Sequence, residues 1–335
     1  MQWRPLGRSG IRVPELCLGT MTFGMQCDEA LSFDILDRAF EAGVSFLDTA
    51  DVYPLGGDFS TVGRTEEIIG RWMKARGNRS RVLLATKCFG RMGAGKNDGG
   101  LSRYNIARAI EGSLSRLQTD AIDLYQTHHF DANTPIDETL SALDDLVRAG
   151  KVRYLGCSNY PAFRLAQAHA VSQQRGLARY ETIQSRYNML YREIETELLP
   201  LARDTNMGVL IYNPIAGGML SGKYKPGQAP AEGTRFTLGS AAGRYQWRYW
   251  QEQTLAATTT FAAACRQRDL EPASVAVSWV LRQPGVTSAI IGASRTEQLT
   301  ATLKGAELKL DDELVKQCDA LFWTLPHRPV VEGYT

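Results

Sequence analysis

Residues 122–158 read IDLYQTHHFDANTPIDETLSALDDLVRAGKVRYLGCS. Two short apolar, β-branched runs, IDLYQTH and VRYLGCS, bracket a segment with helical signals. Thr134 can cap that helix, Pro135 suits its first position, Asp137 and Glu138 oppose its positive end, and Gly150 after Arg148 marks the stop. Ile136, Leu140, Leu143 and Val147 then share one stripe, which a sheet must cover. Runs that are apolar throughout, rather than alternating, imply strands buried on both faces, as in a parallel sheet.

The same unit repeats outward in both directions. ELCLGT at 15, SFLDTA at 45, VLLATK at 82, TIQSRYN at 182, GVLIYN at 208 and SAIIGA at 288 bring the strand count to eight. Eight strand-helix alternations close a barrel, whereas an open doubly wound sheet marks its nucleotide site with GxGxxG after the first strand. Here that strand leads into Gly19-Thr-Met-Thr-Phe-Gly24, and GRMGAGKND at 90 puts Asp98 where the third glycine would stand. The expected fold is therefore an α/β (β/α)8 TIM barrel forming a single domain over 1–335. Residues 1–14 should make a hairpin around Ser9-Gly10 that plugs one end. The irregular stretch 213–250 should cover the site, and 308–335 should supply a C-terminal helix and tail.

Composition narrows the function class. A formal charge of +2 with mixed acids and bases gives no basic stripe for nucleic acid, which leaves a small molecule as the expected partner. Cys17, Cys27, Cys88, Cys157, Cys265 and Cys318 show no metal or redox spacing, so free thiols and no bound metal are expected. The start MQWRPLGRSGIRVP lacks the apolar stretch of a signal peptide, and no run approaches ~20 apolar residues, so a cytoplasmic protein is expected, with no membrane partner. Oligomeric state is not legible.

Reactive side chains collect at the carboxyl ends of the strands, where such barrels carry their sites. Asp48 and Tyr53 follow the second strand, Lys87 ends the third, and His128 and His129 end the fourth. Ser158 and Asn159 end the fifth, Gln184 lies in the sixth, Tyr212 ends the seventh, and Gly292 to Arg295 follow the eighth. The group suits proton delivery to a carbonyl oxygen. A free tyrosine titrates near ~10, and an ammonium ~4 Å away lowers that by at most about three pK units at an effective dielectric of ~20. Burial and Asp48 oppose that shift, while Asp48 keeps Lys87 charged and aimed.

These residues resemble the aldo-keto reductases over nearly the whole chain. RPLGRSGIRVPELCLGTMTFG, FLDTADVY, LLATK, IDLYQTH, GKVRYLGCSN, IQSRYN and IIGASRTEQL are similar to that family's successive signatures, in order. The resemblance implies Asp48, Tyr53, Lys87 and His128 as the catalytic set, with His129 facing away. It also implies a nicotinamide cofactor lying across the barrel mouth without a Rossmann fold. Ser158, Asn159 and Gln184 would hold its carboxamide, and Tyr212, with Pro214 nearby, would support the ring. Leu220, Gly222 and Lys223 would meet the pyrophosphate. Gly217 to Lys223 matches G-x-x-x-x-G-K, but Tyr224 replaces the Ser or Thr of a P-loop, which argues against an NTPase. Gly292, Ser294, Arg295 and Gln298 would line the adenosine end, and the fork of Arg295 suits a 2′-phosphate and hence NADP(H). Thr302 in place of the family's asparagine and Pro54 in place of its glycine are departures.

The expected activity is NADPH-dependent reduction of an aldehyde or ketone, with the alcohol as substrate in reverse. Tyr53 would donate the proton and His128 orient the oxygen. Tyr245, Trp247, Tyr249 and Trp250 either line the substrate pocket or begin a helix packed on the barrel. Two rival readings are a Schiff-base aldolase using Lys87 and a nicotinamide-binding regulatory subunit, since the chain is also similar to potassium-channel β subunits.

Overall fold

The computed structural model describes residues 1–326. Strands β1 (Trp3–Pro5) and β2 (Arg12–Pro14) form an antiparallel hairpin. The eight that follow are β3 (Leu16–Gly19), β4 (Phe46–Asp48), β5 (Leu83–Cys88), β6 (Ile122–Thr127), β7 (Val152–Ser158), β8 (Tyr180–Arg186), β9 (Gly208–Tyr212) and β10 (Val286–Ile291). They pair in parallel in chain order, and β10 closes on β3 to complete the barrel. Every strand anticipated from an apolar run is present. Outside them run α1 (Glu29–Glu41), α2 (Arg64–Arg76), α3 (Arg103–Leu117), α4 (Ile136–Arg148), α5 (Ala162–Arg175), α6 (Leu198–Asp204), α7 (Ala242–Tyr249), α8 (Glu252–Arg266), α9 (Pro272–Arg282), α10 (Thr296–Leu303) and α11 (Asp312–Trp323).

Alternation along the strands sorts the two faces. Cys17, Phe46, Ala85, Leu124, Leu210 and Ile290 point into the barrel, where they form one apolar cluster with Leu6 and Val13 of the hairpin. The hairpin thus stoppers the amino-terminal end of the barrel. Gly7 permits that seat: at φ +57°, a Cβ there would lie 2.5 Å from the Glu181 carbonyl oxygen and 2.8 Å from the Gly208 nitrogen. Because side chains repeat with period two, the next inward positions are Gly19, Asp48, Lys87, Gln126, Tyr212 and Gly292, at the carboxyl ends of their strands. The strand pattern that fills the core therefore also delivers the polar groups to the open mouth.

Two local expectations need correction. Thr134 does not cap α4: the helix begins at Ile136 with Pro135 in the cap position, and the Thr134 hydroxyl donates to Asp131 at 2.8 Å. Its stripe is as expected, with Leu140 and Leu143 buried and Ile136 and Val147 packed against the core. The 213–250 stretch is not irregular throughout, because it contains α7. There Tyr245 and Tyr249, one turn apart, are both buried, and Phe236 packs on Trp250 and Tyr224 with ring centroids 4.8 and 5.1 Å apart. These rings give the excursion a small core of its own. At the carboxyl end, the side chain of Asp311 caps α11, and the tail from 327 onward lies outside the described residues. Among the described residues, no helix is long and apolar enough to cross a membrane.

Candidate active site

Asp48 and Lys87 meet inside the barrel at the carboxyl ends of their strands. The Lys87 Nζ donates to Asp48 Oδ1 at 2.5 Å and to the Thr49 carbonyl at 2.7 Å, and the lysine is fully enclosed. The other carboxylate oxygen accepts from Gln126 Nε2 at 3.0 Å and Gln184 Nε2 at 2.8 Å. Burial pulls the Lys87 ammonium down, but Asp48 and then Tyr53 outweigh it, so its pKa ends above the ordinary lysine value. A lysine held protonated in this way is a poor nucleophile, which counts against Schiff-base chemistry.

Gln126 is absent from the sequence reading, although the alternation contained it: Leu124 faces the interior, so Gln126 two residues on does as well. Its space depends on Gly156 of the neighbouring strand, where a Cβ would stand 3.0 Å from Gln126 Cγ and 2.3 Å from Thr182 Oγ1.

Tyr53 and His128 stand above this pair. Lys87 Nζ is 5.2 Å from the Tyr53 ring centroid, and the Tyr53 and His128 rings meet edge to face with centroids 5.8 Å apart. The four residues proposed as a set are thus brought together. Burial raises the Tyr53 pKa, Lys87 lowers it, Asp48 raises it again, and the net direction is up, so the phenol keeps its proton at neutral pH. The His128 pKa falls well below the ordinary value because burial, Lys87, His129 and Arg244 all disfavour a second proton. A neutral imidazole can donate one hydrogen bond without competing for the phenolic proton.

His129 does not face away. Its ring stacks on His128 with centroids 5.5 Å apart, touches Phe89 at the same separation, and lines the cavity. The strand ends at Thr127, so alternation no longer decides where either histidine points.

A cavity of about 980 Å³ opens at the carboxyl ends of the strands. Asp48, Tyr53, His128, Ser158, Asn159, Gln184, Tyr212, Pro214, Lys223, Gly292, Ser294, Arg295 and Gln298 all lie on its wall, while Lys87 sits behind Asp48. The Asn159 amide is already engaged: Nδ2 donates to the His128 carbonyl at 3.0 Å and Ser158 Oγ at 2.9 Å, and Oδ1 accepts from the Tyr212 hydroxyl at 2.8 Å. Gln298 Oε1 accepts from both the backbone nitrogen and hydroxyl of Ser294. Leu220 is turned into the core, and the Gly222 Cα faces Ala262, so neither reaches the wall. Gly217 and Gly218 do reach it, at φ +68° and +98°, in a turn that Ser221 ties back to the Gly218 carbonyl.

Two groups missed in the sequence bear on a bound anion or amide. Asn213 Nδ2 and Arg235 Nη1 are buried on this wall without hydrogen-bond partners among the described residues. Lys223 is also on the wall, its pKa lowered by burial and by Arg295. Convergent cations and orphaned donors are what an extended phosphate-bearing cofactor would satisfy. In the aromatic segment, Tyr245 lines the cavity, Tyr249 is buried beneath it, and Trp247 is exposed. Thr302 lies on the wall too, but its hydroxyl donates to the Gln298 and Leu299 carbonyls of its own helix.

A family model described as "Aldo/keto reductase family" matches residues 15–322. The chain is 42% identical over 328 residues to a protein named "Uncharacterized oxidoreductase YrpG" from Bacillus subtilis, covering 96% of each. It is 35% identical over 344 residues to "Protein tas" from Escherichia coli, covering 96% of this chain and 97% of that one. It is 34% identical over 333 residues to a "Probable voltage-gated potassium channel subunit beta" from Oryza sativa, covering 98% of each.

Proposed function

The chain belongs to the aldo/keto reductase family, and from that premise we propose that it reduces an aldehyde or ketone to the alcohol with NADPH, Tyr53 giving the proton. Members of the family are oxidoreductases that generally use nicotinamide cofactors. The observation that carries the reading is the meeting of a protonated phenol and a neutral imidazole on the cavity wall with a buried ammonium-carboxylate pair, its lysine directly behind that wall.

The reduced nicotinamide, when bound, supplies a hydride to the carbonyl carbon. Every other task falls to the chain. His128 donates a hydrogen bond to the carbonyl oxygen, which fixes its position and polarises the bond. Tyr53 passes its proton to the same oxygen as charge develops there. The resulting phenolate is stabilised by Lys87, whose ammonium lies 5.2 Å from the ring centroid; a separation of that order is worth on the order of 3 kcal/mol at an effective dielectric of ~20, reduced by Asp48. Solvent then restores the phenolic proton.

For the cofactor, Tyr212 and the Ser158–Asn159–Gln184 group suit the nicotinamide end, and Lys223 and Arg235 suit the pyrophosphate. Arg295 suits a 2′-phosphate, which favours NADPH over NADH. The alternative, a nicotinamide-binding regulatory subunit, would use the same cavity without turnover. A panel of carbonyls followed by cofactor absorbance, with NADPH and NADH, separates the two. Turnover with NADPH supports the reductase, and Arg295→Gln should raise the NADPH KM at least tenfold while leaving that for NADH nearly unchanged. Tight NADPH binding with no turnover across the panel would overturn it.

A further inference from the structure

We infer that the substrate carries its own anionic oxygen group, a carboxylate or phosphate, beside the carbonyl, and that Arg244 selects it; this rests on the reductase reading above.

Arg244 lies in the first turn of α7, on the cavity wall and exposed. It makes no hydrogen bond or ion pair among the described residues. It shares that wall with Tyr53 and His128, and its charge is among those that hold the His128 pKa down. A cation in the first turn of a helix opposes the positive end of the helix dipole, so the position does not serve α7 itself. Arg91, which follows β5, lies on the wall of the same cavity, as do Phe89 and His129. It is anchored to the Ala94 and Gly95 carbonyls at 2.8 and 3.0 Å, neutral partners that fix the guanidinium without cancelling its charge.

The acids nearby are committed elsewhere. Asp98 accepts from the Gly95 nitrogen at 2.8 Å and pairs with Arg108 at 3.3 Å. Asp58 accepts from the Ser60 nitrogen and hydroxyl at 2.9 and 2.6 Å. The cofactor phosphates draw on Lys223, Arg235 and Arg295, and Arg248 on the same wall lies over the Tyr245 ring at 5.6 Å, which leaves Arg244 and Arg91 as wall cations with no acidic partner among the described residues. A guanidinium fork suits the two oxygens of a carboxylate or two of a phosphate, and such a contact would hold the carbonyl against Tyr53 and His128.

The test compares three aldehydes of one shape: 4-formylbenzoate, 4-formylphenyl phosphate and methyl 4-formylbenzoate. Their kcat/KM values are measured with NADPH in the wild type, Arg244→Gln and Arg244→Lys. Binding of benzoate and phenyl phosphate to the NADP+-loaded protein is measured alongside by calorimetry. At least one anionic aldehyde should be preferred to the ester by tenfold or more. Arg244→Gln should shrink that ratio about tenfold, and Arg244→Lys should restore part of it. The matching anion should bind the wild type and bind Arg244→Gln at least tenfold more weakly. Ester reduced as well as both anions, or a ratio untouched by Arg244→Gln, overturns the anion site while leaving the reductase intact. No turnover of any aldehyde, with Arg244-dependent anion binding preserved, overturns the reductase reading and supports the site.

Discussion

Asp48→Asn keeps the shape of the side chain and removes its charge, and the surroundings make the cost calculable. Lys87, fully enclosed, would keep only the Thr49 carbonyl at 2.7 Å as a partner. The new amide would also turn an NH2 either toward the ammonium or toward the Gln126 and Gln184 amides, all of them donors in the present arrangement. Stranding one member of a buried ion pair costs about 3–5 kcal/mol, and that is the expected destabilisation. Lys87→Met should cost less, about 2–3 kcal/mol, because the carboxylate keeps two hydrogen bonds from the glutamines. The double variant removes both charges, so its loss should fall short of the sum by about 2 kcal/mol or more. Urea unfolding followed by tryptophan fluorescence measures all four corners of the cycle. Losses that add to within about 0.5 kcal/mol would refute the coupling and the claim that Asp48 keeps Lys87 charged.

Three other outcomes follow from buried groups. By NMR, His128 should remain neutral well below its ordinary range and His169 should titrate at about 4, since burial disfavours the imidazolium at both sites. Each such histidine binds fewer protons folded than unfolded, so both contribute a stability loss as pH falls below about 6.5. A His128 resonance titrating near 6.5 would contradict the neutral imidazole. Asp51 is buried with neither carboxylate oxygen partnered among the described residues, and burial, then Glu66, raise its pKa well above normal. Its raised pKa means that the folded state binds the extra proton, so stability declines as pH rises from about 4 toward that raised value. Asp51→Asn should therefore stabilise the protein at pH 7 and remove part of that slope, as read by thermal unfolding across pH; destabilisation at pH 7 would contradict it. Gln126→Leu should lower kcat on the order of tenfold, the value of one lost hydrogen bond to a charged group, with NADPH affinity unchanged by fluorescence titration. An unchanged kcat would show that Gln126 does not position Asp48.

What was legible in the sequence follows from what each signal encodes. The eight barrel strands are buried on both faces, so their apolar runs stand out against amphipathic helices, and the polar residue ending each inward set could be read by counting. Asp48, Tyr53, Lys87 and His128 could be picked out because each is an unusual residue at the end of such a run. Gln126 was passed over because an amide in a strand carries no chemical flag of its own, even though it shares the inward face with Leu124. His129 was misplaced because the period-two rule stops where β6 stops. The cap of α4 was misplaced by one residue because Pro135, taken for the first helical position, occupies the cap position itself. Arg235 and Arg244 lie in the 213–250 excursion, whose path is set by aromatic contacts among Tyr224, Phe236, Tyr245 and Trp250 that have no fixed spacing.

The central claim is that the Tyr53 hydroxyl delivers the proton. Single-turnover oxidation of bound NADPH by an aldehyde, compared between the wild type and Tyr53→Phe, tests it most directly, with cofactor affinity measured by fluorescence on the same samples. The expected result is a fall of about 10²–10⁴ in the rate of cofactor oxidation, the usual contribution of a positioned acid, with Kd for NADPH within about threefold of the wild type. A Tyr53→Phe rate within about threefold of the wild type at saturating NADPH would contradict the account, because a ring without a hydroxyl has no proton to give.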